Sequence, residues 1–126
     1  MNSELNNLEW FKAGFETYNP TPDILLKIES SLKNYIIEVV IDLDCKDVQF
    51  LIPKLFKTLY LSETTNYMIH KIDLKKLPAA INTYRIEKSP TIIFSNNGKE
   101  HFRITEKIIH SISIENEIEM LLMKNN

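Results

Sequence analysis

The chain has 126 residues, of which 44% are hydrophobic and 25% charged, and its formal net charge is −2. That length and composition suit one globular domain with a sizeable core, and the charge balance offers no field for nucleic acid or an anionic membrane. The longest strongly apolar stretch, residues 35–41, is interrupted by Glu38 and is far too short to span a bilayer, so the expected location is the cytoplasm. One cysteine, Cys45, rules out an internal disulfide and a cysteine-rich metal site. His70, His101 and His110 show no metal-ligand spacing and read as surface or half-buried residues, so neither a metal nor a cofactor is expected.

Leu5, Leu8, Phe11 and Phe15 recur at helical spacing and predict a first helix ending near Gly14. Asn19-Pro20-Thr21-Pro22 breaks it. Thr21 is placed to cap a second helix with Pro22 at its first position, and Ile24, Leu25, Ile28 and Leu32 form that helix's buried stripe. Residues 35–43 are rich in β-branched side chains and predict a central strand buried on both faces, with Glu38 expected near an end of the buried stretch. A helix follows from about Lys46 to Tyr60, its apolar face formed by Val48, Leu51, Ile52, Leu55, Phe56 and Leu59. Pro53 lies inside it and removes a helical hydrogen bond.

Residues 67–72 predict a second strand, 76–84 a helix, 91–95 a third strand and 100–105 a fourth. Asn96-Asn97-Gly98 supplies the hairpin turn between the last two, because Asn and Gly accept the positive φ of tight turns. A closing helix starts near Ser113 with Ile114, Ile118, Leu121 and Leu122 on one face. The first two strands, joined by a helical crossover, are expected to be parallel and the hairpin antiparallel.

That order of elements, together with four local landmarks, resembles the thioredoxin family. Cys45 follows the first central strand and opens a helix; Pro53 lies eight residues later; Lys88-Ser89-Pro90-Thr91 precedes the third strand; and Asn97-Gly98-Lys99-Glu100 forms the hairpin. Asp44-Cys45-Lys46-Asp47-Val48 keeps the Cys and Asp of the W-C-G-D-S site of a bacterial thioredoxin-family group. Phe102-Arg103-Ile104-Thr105-Glu106 looks like that group's G-R-I-x-E segment. The resemblance covers roughly residues 35–123. It implies an α/β, thioredoxin-like three-layer sandwich: a mixed central sheet of about four strands flanked by helices over residues 35–126, with residues 1–34 a helical extension packed on it. It also implies a cis peptide before Pro90, in a loop that offers the backbone of the preceding residue to an extended partner.

The departures from the family bear on chemistry. Val48 stands where the second cysteine of C-x-x-C would be, Asp44 replaces the tryptophan before the first cysteine, and Val39 falls at the position of the buried aspartate. A helix N-terminus favours a thiolate, and Lys46 adds to that effect, whereas Asp44 and Asp47 oppose it. Without a second thiol, a mixed disulfide formed by Cys45 waits for an outside thiol to release it. The sequence therefore gives Cys45 as the catalytic residue and Asp44, Lys46, Asp47, Ser89 and Pro90 as the partner-binding set. The expected partner is a protein or low-molecular-weight thiol, and the expected state is a monomer or weak dimer. The alternative is a redox-inactive interaction module that uses the same groove. Read without the resemblance, Cys45 also fits a small buried residue at a strand-to-helix junction. Asp44 then fits a helix cap, Asp47 a first-turn residue favoured by the dipole, and Arg103 and Glu106 paired surface charges.

Overall fold

Side chains alternate across a strand, and β1 (Ile36–Ile41) divides its residues between two unequal faces. Ile37, Val39 and Ile41 are fully buried in the main core. Val40 faces the other way, into a small cluster with Ile86 and Ile93 that Ile72 and Tyr84 pack against. The computed structural model describes residues 3–76, 82, 84–105 and 113–124. Within that set, β1 is joined by β2 (Tyr67–Lys71), β3 (Thr91–Asn96) and β4 (Lys99–Thr105) in the spatial order β2-β1-β3-β4. The β1–β2 pair is parallel, with Val39 opposite Ile69. The β1–β3 and β3–β4 pairs are antiparallel, with Val39 opposite Ile92 and Ile92 opposite Ile104. Asn97 (φ 55°) and Gly98 (φ 75°) form the hairpin turn in the left-handed conformation expected of them.

The helices are α1 (Ser3–Asn6), α2 (Glu9–Thr17), α3 (Pro22–Leu32), α4 (Lys46–Leu61) and α5 (Ile114–Lys124). Phe11 of α2, Ile28 and Leu32 of α3, Phe56 of α4 and Ile118 of α5 all enter the main core beside the strand residues of one sheet face. Leu5 of α1 is 1% exposed and belongs to the same core. The whole stripe expected of α4 is buried. The helix expected over residues 76–84 falls mostly outside the described residues, as do His110 and Glu106.

Four local expectations are corrected. The first helix does not run unbroken to Gly14: Leu8 is extended (φ −87°, ψ 128°) and separates α1 from α2, which continues through Gly14 to Thr17. Gly14 is tolerated inside the helix because of its neighbour: an added Cβ there would lie 2.6 Å from Pro53 Cβ. Thr21 occupies the N-cap position of α3, but its hydroxyl makes no capping bond; its backbone N–H instead donates to Glu115 Oε2 at 2.8 Å. Glu38 lies in the middle of β1, 6% exposed, and not near the end of the buried stretch. It can remain there because the parallel neighbour brings His70 against its carboxylate, and a buried charge requires such a partner. The fourth correction concerns Asp44, which is not the cap of α4; Cys45 holds that position.

Candidate functional site

β1 ends at Ile41, and four residues turn the chain into α4. Cys45, half-buried, is the extended N-cap (φ −82°, ψ 128°), and its carbonyl accepts the first helical bond from Gln49 N–H at 3.3 Å. A residue in this position has its side chain beside the unpaired N–H groups of the first helical turn. The thiol is directed toward the loop before β3: Cys45 Sγ donates to the carbonyl of Ser89 at 3.1 Å. Ser89 is 1% exposed, Pro90 is buried and the peptide between them is cis. Thr91 Oγ1 donates to the Lys88 carbonyl at 2.7 Å and fixes the entry to β3.

The turn residues are themselves tied. Asp42 N–H donates to Ser89 Oγ at 2.8 Å, and the Asp42 carbonyl accepts from Cys45 N–H at 3.1 Å. Its carboxylate accepts from Asp44 N–H (3.0 Å) and from Leu74 N–H (3.3 Å). Sequence reading overlooked Asp42. The only local signal was an aspartate at a strand end, which marks a turn without naming its partners. Asp44 is exposed, Lys46 is the exposed first residue of α4, and Asp47 is half-buried in the first turn. The structure thus brings Cys45 and Ser89 into contact, with Pro90 adjoining, while Asp44, Lys46 and Asp47 flank Cys45 in the sequence. A crevice of about 560 Å³ opens beside this turn, lined by Asp42, Asp44, Lys71, Asp73 and Lys76.

Two of the three positions that depart from the resemblance are built into the core. Val48 and Val39 are each 0% exposed, so an apolar group fills both places. The buried carboxylates lie elsewhere. Glu38 meets His70 on the opposite sheet face, and Glu115 accepts from Tyr18 Oη and Thr21 N–H. Burial, reinforced by Glu115, pushes the Tyr18 phenol well above its ordinary range. Arg103 pairs with Glu100. Its Nε donates to Glu100 Oε2 at 2.6 Å, and Nη2 and Nη1 reach the carbonyls of Tyr84 and Arg85 at 2.9 and 3.4 Å. Among the described residues no three His, Cys, Asp or Glu side chains gather in a way that would hold a metal, and no helix is long and apolar enough to cross a membrane.

No protein-family model and no curated protein matches the chain. Solved structures do. A thioredoxin from Fasciola hepatica superposes with a TM-score of 0.53 at 18% identity, covering 81% of this chain and 91% of its own. A protein of unknown function from Pseudomonas aeruginosa gives 0.51 at 13% identity, covering 95% and 84%. Mitochondrial thioredoxin 3 of Saccharomyces cerevisiae, in its oxidised form, gives 0.50 at 14%, covering 79% and 89%. With its mixed four-stranded sheet flanked by helices, the chain has a thioredoxin-like fold, and it carries one cysteine.

Proposed function

We propose that the protein is a monothiol member of the thioredoxin-like class, acting in the cytoplasm through mixed disulfides at Cys45. The observation that carries this reading is the 3.1 Å contact between Cys45 Sγ and the Ser89 carbonyl. It sets the only thiol of the chain against the backbone segment on which an extended partner would align. In the reaction, Cys45 loses its proton to solvent and the thiolate attacks one sulfur of a partner disulfide R–S–S–R′. The Cys45–S–S–R bond forms as the S–S bond breaks, and R′–S⁻ leaves and takes up a proton. Val48 offers no thiol for internal release, so a second outside thiol attacks the mixed disulfide and restores Cys45. Asp44, Lys46 and Asp47 form the charged surround that the partner meets.

The test is exposure of the folded protein to oxidised glutathione followed by intact-mass measurement. One adduct, reversed by dithiothreitol and missing in Cys45→Ser, is the expected result. A wild-type chain that stays unmodified in excess disulfide would overturn the reading. The second reading, a redox-inactive interaction module in the same groove, is favoured by the complete burial of apolar Val48 and Val39. It requires that Cys45→Ser retain a protein partner with wild-type affinity.

A further inference from the structure

We propose that Asp42 is the positioning residue of the site, setting where the Cys45 sulfur sits. The proposal rests on reading Cys45 as the attacking group. Asp42 is the first residue after β1, and four hydrogen bonds from three loops meet on it. Its carbonyl holds the Cys45 amide, and its amide holds the hydroxyl of Ser89, the residue whose carbonyl receives the thiol. The acceptor and the donor of the Sγ contact are therefore hung on one residue.

The carboxylate supplies the rest. Oδ1 closes the turn onto the Asp44 amide directly before Cys45, and Oδ2 reaches the Leu74 amide in the loop after β2. That second bond spans the ends of the parallel strands β1 and β2, the side of an open α/β sheet where ligands enter. Removing the carboxylate leaves both backbone bonds in place and frees the turn and the neighbouring loop together. The thiol then loses its fixed direction while the core beneath is untouched.

The experiment compares Asp42→Ala and Asp42→Asn with the wild-type chain in three measurements. These are alkylation of native Cys45 by iodoacetamide, adduct formation with oxidised glutathione, and amide hydrogen exchange. Asp42→Ala should alkylate at least about threefold faster and form the glutathione adduct at least about threefold more slowly, because a freed sulfur is more accessible and less aligned. A change that merely loosened the fold would raise both rates. Exchange should quicken at Asp44 and Leu74 while the α4 amides of Leu55 and Phe56 keep their protection. Asp42→Asn retains one acceptor oxygen, so it should release one of those two amides and keep alkylation within about twofold of wild type.

Wild-type rates in Asp42→Ala, or unchanged exchange at Asp44 and Leu74, would overturn the proposal. If Asp42→Ala fails to fold, Asp42→Asn decides: full protection at both amides refutes it. If the wild-type chain forms no glutathione adduct, the disulfide reading fails, while alkylation and exchange still judge Asp42.

Discussion

Gly14→Ala adds a single methyl group where α2 crosses α4. The new Cβ would lie 2.6 Å from Pro53 Cβ and 2.9 Å from Pro53 Cγ. Carbon atoms rest at about 3.5–4.0 Å, so the helices must separate locally by roughly 1 Å. Proline has no rotamer by which its ring could swing away. Nor is α2 free to lift: Phe11 is 2% exposed and packs on Phe56, and Lys57 Nζ bonds the Phe15 carbonyl at 2.9 Å. Overpacking of this kind costs about 1–3 kcal/mol. Alanine's better helix propensity returns about 0.8–1 kcal/mol, which leaves an expected net loss of up to about 2 kcal/mol. Urea unfolding, followed by circular dichroism and by the fluorescence of Trp10 on the same helix, measures it. A Gly14→Ala protein more stable than wild type by about the full propensity gain would show that the crossing is slack and refute the reasoning.

Three further outcomes are expected. Ser89→Ala removes the acceptor of the Asp42 amide; an unpaired buried donor costs about 1–3 kcal/mol, which chemical denaturation reads, and an unchanged midpoint would show that the amide finds another partner. Val48→Cys places a thiol three residues after Cys45 in the first part of α4. Mild oxidation should then close an internal disulfide, seen as the loss of two hydrogen masses, and the glutathione adduct should become short-lived. Glu117 has its carboxyl raised above its usual value by partial burial, so the folded state holds the proton more tightly than the unfolded chain. Its contribution favours folding below the unfolded carboxyl value and is lost as pH rises through the folded one. Glu117→Gln removes this contribution, so the stability of the variant relative to wild type should rise from acid to neutral pH in urea unfolding, and a difference that stays constant with pH would refute it.

The parts of this molecule legible in the sequence are those whose cause is local. Asn97-Gly98 announces its turn because both residues accept positive φ, and the stripe from Val48 to Leu59 announces α4 through its spacing. Cys45 could be placed at the helix start because a strand pattern ends and a helix pattern begins beside it. What could not be read depends on partners far along the chain. Glu38 looked misplaced in a buried strand because His70, thirty-two positions away, becomes its neighbour only when β1 and β2 pair in register. Thr21 looked like a cap because no local pattern shows Glu115 arriving at its amide. Asp42 went unnoticed for the same reason, since Leu74 and Ser89 reach it only through the folded sheet. The break at Leu8 was hidden by apolar spacing that continues across it on both sides.

Among the described residues, the two sheet faces bury clusters of different size, which should open at different costs. On one face, helices from both ends of the chain share a core with β1, β3 and β4, so exposing it means unfolding the whole. On the other, among the described residues, Val40, Ile86 and Ile93 form the buried cluster, and Arg103 supplies the hydrogen bonds that hold the carbonyls of Tyr84 and Arg85. Each such apolar side chain contributes about 1.5–3 kcal/mol when fully buried, so detaching residues 84–87 should cost several kcal/mol less than global unfolding. Ser89 lies two residues beyond that segment. A local opening of residues 84–87 would reach the acceptor of the Cys45 thiol while the main core stays closed.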